Sequence, residues 1–310
     1  MSKRVVLLFA GQGAQAVGMG KDLAEAFPSA AARFSRADEI LGFSLTGAMF
    51  DGPQEELTRT SRCQPALFVH GLVCLDLIRE RVPGLEIAGA AGLSLGEFTA
   101  HAAAGTFDFE TGLKLVAKRG QFMEEATNTT AGTMAAMIGG EESAVRALAE
   151  ASGVDVANFN APGQIVLSGT REGIAQAVAG AKEHGIKMAK ELEVAGAYHS
   201  RLMQSAQDKL ATELAAVEIQ TPSVPVVCNY EAREVSESAE IRRTLECQVT
   251  GSVRWTESMQ VFLGKGETTF LELGPGGVLA GLMKRIDRGA TVISVQDVAS
   301  LENAVAALLA

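Results

Sequence analysis

Short apolar runs alternate along this chain with longer stretches in which apolar positions recur every three to four residues. The short runs predict strands buried on both faces, and the longer stretches predict amphipathic helices. A first strand is expected over Val5–Phe9, then helices through Lys21–Leu41, a helix Pro65–Arg81 and a strand Ile87–Gly92. Further helices are expected after Gly96 and over Phe109–Ala126. This order predicts a parallel sheet with helices on both faces. Between about Thr129 and Tyr198 the rhythm changes. There a strand Met134–Ile138, a helix Glu141–Ser152, strands Val154–Ala157 and Gln164–Ser168 around a turn Asn158–Gly163, a helix Arg171–His184 and a strand Ile186–Leu192 are expected. The order β-α-β-β-α-β is the split βαβ unit of a ferredoxin-like domain. The first rhythm then resumes with helix Ser200–Val217, strand Val224–Cys228, helix Trp255–Leu263, strand Thr269–Leu273, helix Val278–Ile286, strand Val292–Val295 and helix Leu301–Leu309. The predicted fold is α/β: a hydrolase-like core with a parallel sheet (1–128 and 199–310) and an inserted ferredoxin-like subdomain (129–198).

Composition narrows the class. A formal net charge of −10 over 310 residues argues against nucleic-acid binding, which needs a basic surface. Cys63, Cys74, Cys228 and Cys247 are scattered without C-x-x-C spacing, so reduced cysteines and no metal site are expected. No run reaches the length of a membrane span, and the N-terminal apolar run is too short for a signal peptide. A cytoplasmic protein that contacts no membrane is expected, and a monomer.

The chemistry concentrates at Gly92-Leu93-Ser94-Leu95-Gly96, which has the G-x-S-x-G spacing of a nucleophile elbow. There a strand turns sharply into a helix and presents one serine hydroxyl. A plain glycine-lined turn with an incidental serine is the alternative. Four histidines are candidates for the base. His70 lies in an apolar helical run, His101 is two turns along the helix that Ser94 begins, and His184 sits at a helix C-terminus. His199 stands at the return from insert to core, where α/β proteins bind ligands, and is the base by elimination. Asp108, Asp155 or a backbone carbonyl remains open as its orienting partner. Gly11-Gln12-Gly13-Ala14-Gln15-Ala16 fits the dinucleotide fingerprint G-x-G-x-x-A, but the region that should hold the second strand and its acid, Ala30–Leu41, reads as helix. The Gln12 amide is better suited to donate to an oxyanion beside the elbow.

Taken together these segments resemble the malonyl-CoA:acyl carrier protein transacylases, the acyltransferase family of fatty-acid and polyketide synthesis. The resemblance covers essentially the whole chain. Phe9-Ala-Gly-Gln-Gly13 is similar to that family's F-x-G-Q-G, Gln64-Pro65-Ala66 to its Q-P-A, and Gly92-Leu-Ser-Leu-Gly-Glu97 to its G-H-S-L-G-E. Arg119-Gly120 resembles its R-G, Ala157-Asn-Phe-Asn160 its A-N-x-N, Ala197-Tyr-His-Ser200 its A-F-H-S, and Glu272-Leu-Gly-Pro-Gly276 its E-x-G-P-G, while Gln248 matches its glutamine.

The resemblance implies Ser94 as acylated nucleophile, His199 as general base, the Gln248 carbonyl as its orienter, and the Gln12 and Leu95 amides as oxyanion hole. It implies that Arg119 holds the malonyl carboxylate, with Gln64 also binding substrate. Met123 packs by the acyl chain or simply in the core, and Asn158 lines the pocket or shapes its turn. Three positions depart from the pattern: Leu93 stands for histidine, Tyr198 for phenylalanine and Gly277 for a lysine-like residue. The implied reaction moves malonyl from malonyl-CoA to the phosphopantetheine thiol of acyl carrier protein in fatty-acid biosynthesis, through an acyl-serine, with coenzyme A substrate-borne and no separate cofactor. Rival readings are a thioesterase and a non-catalytic docking module. Because carrier proteins are generally acidic, a local basic patch is expected, with Lys190, Arg201, Lys284 and Arg285 as candidates.

Overall fold

The computed structural model describes residues 4–310. Among the described residues there are ten strands: β1 (Arg4–Phe9), β2 (Glu86–Gly92), β3 (Gly132–Ile138), β4 (Asp155–Ala161), β5 (Gln164–Thr170), β6 (Met188–Glu191), β7 (Val226–Val227), β8 (Glu234–Val235), β9 (Thr269–Leu273) and β10 (Thr291–Val295). They form two sheets. The larger has the order β10-β9-β1-β2-β7-β8, parallel from β10 through β7 and closed at one edge by antiparallel β8. Val5–Phe9 of β1 are all buried, as a central strand covered by helices on both faces requires. The smaller sheet has the order β4-β5-β3-β6 and is antiparallel throughout, the ferredoxin-like arrangement. Helices Glu142–Ala151 and Arg171–Gly180 cover one of its faces, packing on Ala135, Met137, Phe159, Ile165 and Leu167.

Strand alternation sends the intervening residues Met134, Asn158, Asn160 and Val166 to the opposite face, where they line the cleft against the larger sheet's domain. β4 anchors this sheet to the core: the Val253 N–H donates to the Ala157 carbonyl at 2.8 Å, and the Phe159 N–H to the Val253 carbonyl at 2.9 Å.

Several boundaries differ from the sequence expectation, each for a local reason. The helix expected from Pro65 runs Thr60–Arg81, with Pro65 inside it. Proline favours a helix's first turn but tolerates a later one when packing holds the ring, and Pro65 is buried. The expected turn Asn158–Gly163 is mostly strand. Only Pro162-Gly163 turns, with Gly163 at φ 69°, so Asn158 lies in β4. The helix expected from Ser200 is a single 3₁₀ turn, Arg201–Met203, followed by helix Gln204–Ala215. Helix Arg171–Gly180 stops four residues short of His184, and strand Val224–Cys228 shrinks to two residues. Helices Leu45–Phe50, Gln54–Thr58 and Ser238–Cys247 carried no expectation. Among the described residues no helix is long and apolar enough to cross a membrane.

Candidate active site

At the end of β2 the chain turns directly into helix Leu95–Ala103, leaving Ser94 at φ 54°, ψ −104°. Few L-residues adopt this backbone, and holding it costs about 1–3 kcal/mol. The flanking glycines are explained by close approach. A Cβ at Gly92 would stand 1.9 Å from the Gly96 carbonyl carbon, and one at Gly96 would stand 2.2 Å from the Phe9 carbonyl oxygen. The loop after β1 is equally tight, since a Cβ at Gly11 would meet the Leu93 carbonyl oxygen at 2.5 Å. Glycine there lets the Gln12 loop lie beside the elbow.

His199 also occupies the left-handed region, at φ 56°. Its turn is held by the Ser200 hydroxyl, which donates to the Ala197 carbonyl at 2.7 Å. The His199 Nδ1–H donates to the Gln248 backbone carbonyl at 2.7 Å, and Nε2 lies 2.8 Å from Ser94 Oγ. Burial, with help from the Arg119 cation, pushes the imidazole down to about 4. The ring is therefore neutral near pH 7, with a lone pair on Nε2 facing the hydroxyl.

The other histidines are engaged elsewhere. His70 Nε2–H donates to the Gln296 carbonyl, His101 Nδ1 shares a hydrogen bond with Thr106, and His184 Nδ1–H donates to the Gly180 carbonyl. Neither aspartate left open in the sequence reaches His199. Asp108 caps helix Phe109–Thr129 by accepting from the Thr111 N–H, and Asp155 binds Arg201. The backbone carbonyl is the partner present.

Arg119, on helix Phe109–Thr129, is only 1% exposed. Its Nη1 donates to Gln64 Oε1 at 2.8 Å, and its Nη2 to Gln248 Oε1 at 2.7 Å and to Ser94 Oγ at 3.0 Å. All three acceptors are neutral, and among the described residues Arg119 forms no ion pair. Burial lowers its pKa to about 10, opposed by the nearby Glu97 charge, so it remains a cation at pH 7. Met123, one turn further on, packs by its sulfur against the Gln64 Nε2 at 3.4 Å.

Sequence reasoning gave Gln248 only its backbone carbonyl. Its side chain does more, donating from Nε2 to the Ser94 carbonyl at 3.1 Å and to Glu97 Oε2 at 2.7 Å. Glu97 is fully buried, and burial raises its pKa to about 7, against hydrogen bonds from Asn229 and Gln248. Asn229, also buried, is an isolated asparagine that carries no spacing signal in the sequence.

A cleft of about 290 Å³ opens between the two sheets' domains. Gln12, Gln64, Ser94, Leu95, Arg119, Met123, Asn158 and His199 all line it, so every site residue singled out from sequence except Gln248 reaches the cavity. Gln248 stands behind it, bonded to Arg119, His199 and Ser94. A larger surface groove of about 690 Å³ runs beside Arg33, Asp76 and Arg79 but is lined by no serine, cysteine or histidine. Among the described residues no group of three or more His, Cys, Asp or Glu is placed to hold a metal ion.

The three departures have different explanations. Leu93 forms part of the cleft wall. The Tyr198 hydroxyl lies 2.6 Å from Thr60 Oγ1, to which Gln12 Nε2 also donates, at 3.3 Å. Gly277 sits at φ 61°, a conformation in which glycine is unstrained, and the helix after it is capped by Glu272, which accepts from the Leu279 and Ala280 N–H groups.

Comparison with known proteins converges on one family. The family model described as "Acyl transferase domain" matches residues 6–303. A malonyl CoA-acyl carrier protein transacylase of Bacillus subtilis is 42% identical over 99% of this chain and 98% of its own length. A polyketide biosynthesis malonyl CoA-acyl carrier protein transacylase of the same organism is 40% identical over 92% and 98%. The solved structure of a malonyl CoA-acyl carrier protein transacylase from Coxiella burnetii superposes with a TM-score of 0.95 at 35% identity, covering 99% of this chain and 98% of that one. A malonyl-transacylase solved in complex with a type II polyketide acyl-carrier protein superposes at 0.93, with 37% identity over 98% of this chain and 100% of that one.

Proposed function

The chain belongs to the acyl transferase family, and we propose that it moves a malonyl group from malonyl-CoA to the phosphopantetheine thiol of an acyl carrier protein by way of a malonyl-Ser94 ester. One observation carries the choice of malonyl. A buried guanidinium stands 3.0 Å from the serine hydroxyl, and its hydrogen-bond acceptors among the described residues, Gln64, Ser94 and Gln248, are all neutral. A carboxylate on the acyl group supplies the missing anion and accepts two parallel charge-assisted hydrogen bonds.

The Ser94–His199–Gln248 hydrogen bonds support the following steps. Ser94 Oγ attacks the thioester carbonyl while its proton passes to the lone pair on His199 Nε2, 2.8 Å away. The tetrahedral oxyanion is held by the Gln12 and Leu95 amides, at the N-terminus of helix Leu95–Ala103 whose dipole favours negative charge. Collapse breaks the carbon–sulfur bond, and His199 returns the proton to the departing coenzyme A thiolate. The carrier thiol then gives its proton to His199 and attacks the ester, and collapse restores the Ser94 hydroxyl. The Gln248 carbonyl fixes the imidazole tautomer in place of a carboxylate. Gln64 and Gln248 orient the guanidinium, and Met123 and Asn158 border the acyl group. Coenzyme A enters and leaves as part of the substrate, so the reaction needs no resident cofactor.

The setting proposed is fatty-acid biosynthesis in the cytoplasm. Single-turnover decay of the malonyl-enzyme tests the transferase reading. With a holo carrier present, malonyl should appear on the carrier thiol far faster than as free malonate; preferential release of malonate would favour a thioesterase. Running the same assay with a polyketide carrier decides the setting.

A further inference from the structure

The turn at Ser94 strips two peptide groups of the partners that a regular strand or helix would supply, the Ser94 N–H and the Gly92 carbonyl. One side chain meets both. Asn229, fully buried just beyond β7, accepts from the Ser94 N–H through Oδ1 at 2.6 Å and donates from Nδ2 to the Gly92 carbonyl at 2.8 Å. A primary amide carries an acceptor and a donor on one planar group, which this pair of contacts requires. Asn229 is itself pinned at both of its backbone groups. Its N–H donates to Glu97 Oε2 at 3.0 Å, and its carbonyl accepts from the Arg254 N–H at 3.0 Å. The same Glu97 oxygen accepts from Gln248, whose backbone carbonyl orients His199. A single buried carboxylate oxygen thus sets both the segment that grips the nucleophile's backbone and the residue that grips the base.

We propose that Asn229, held by Glu97, is a positioning residue that locks the strained elbow and so aims the Ser94 hydroxyl at His199. It touches neither substrate nor reacting atoms. Its loss lets the Ser94 peptide relax out of the left-handed conformation and the hydroxyl swing off line, and a displacement of about 1 Å can cost about 10²-fold in rate. Binding of malonyl-CoA, which does not depend on that aim, is left nearly intact.

The test uses the full chain and three readouts: single-turnover acylation by malonyl-CoA, labelling of Ser94 by a small fluorophosphonate, and malonyl-CoA affinity with Ser94→Ala in each background. For Asn229→Ala the expected result is acylation and labelling slowed by about 10- to 100-fold, with Kd changed less than about threefold. Asn229→Asp keeps the acceptor for Ser94 and loses the donor to Gly92, so it should also be slowed. Glu97→Gln, which keeps an oxygen for both donors, should recover most of what Glu97→Ala loses. Acylation of Asn229→Ala within threefold of the parent overturns the proposal, as does a matched loss of rate and affinity. If Asn229→Ala fails to fold, a fully active Asn229→Asp overturns it instead. The inference rests on Ser94 as nucleophile: a fluorophosphonate adduct of the unaltered protein anywhere but Ser94 defeats that reading and this one together, whereas undiminished Ser94 labelling in Asn229→Ala defeats this one alone.

Discussion

The Arg119 guanidinium donates directly to the Ser94 hydroxyl oxygen, at 3.0 Å, so the proposed selector of the acyl chain and its proposed acceptor share one hydrogen bond. In the proposed reaction malonyl and acetyl are told apart beside the reacting atom. A malonyl carboxylate neutralises the buried cation, and an acetyl group leaves it unpaired.

Arg119→Ala should therefore lower kcat/KM for malonyl-CoA by about 10²–10⁴-fold, the equivalent of the roughly 3–5 kcal/mol that breaking a buried ion pair costs. Acetyl transfer should hold steady or rise. Arg119→Lys should restore only part of the loss, because a point charge cannot match the fork. Equal weakening of both donors would make Arg119 structural and remove the main support for malonyl.

The pH dependence of acylation should reflect a base kept neutral by burial. His199 titrates near 4, so its activity is lost only as pH falls toward that value, well below the usual histidine midpoint of about 6.5. A limb close to 6.5 that disappears in His199→Ala would contradict the geometry. A separate inflection is expected near 7, where protonation of Glu97 removes the negative charge beside Arg119, and it should vanish in Glu97→Gln.

Tyr198→Phe removes a buried hydroxyl and leaves Thr60 Oγ1 with Gln12 alone. The expected cost is about 1 kcal/mol of stability, read from thermal or denaturant unfolding. A double-mutant cycle with Thr60→Val should give a coupling of similar size. Additive losses would show that the 2.6 Å contact contributes nothing.

Carrier docking should depend on salt. Lys190, Lys284 and Arg285 are exposed, whereas Arg201 is already paired with Asp155 and drops out of the basic candidates. The kcat/KM for an acidic carrier should fall with added salt and in Lys284→Glu, while that for malonyl-CoA changes less. Equal salt slopes for the two substrates would count against electrostatic docking at these residues.

The parts of the fold that follow from periodicity were legible in the chain. The short apolar run Val5–Phe9, ended by Gly11-Gln12-Gly13, reads as a strand covered on both faces, and G-x-S-x-G spacing forecast the close approach now seen between Gly92 and Gly96. Local chemistry misled where tertiary packing outweighed it. Turn-prone residues around Asn158 form a strand because alternation with Phe159 buries one face on helices and turns the other to the cleft. Pro65 marked a helix start that packing carries back to Thr60. The side chains of Asn229 and Gln248 were illegible for another reason: their partners lie 129 to 154 residues away in sequence, and no motif links them.

The central claim is that Ser94, with His199 as its base and Arg119 as its selector, forms a malonyl ester. Intact mass after mixing with malonyl-CoA, acetyl-CoA or methylmalonyl-CoA tests it most directly. The unaltered protein should gain the mass of one malonyl group from malonyl-CoA, with little gain from acetyl-CoA, and Ser94→Ala should fold normally and gain none. A Ser94→Ala protein that still gains the mass of a malonyl group would place the nucleophile elsewhere and contradict the account.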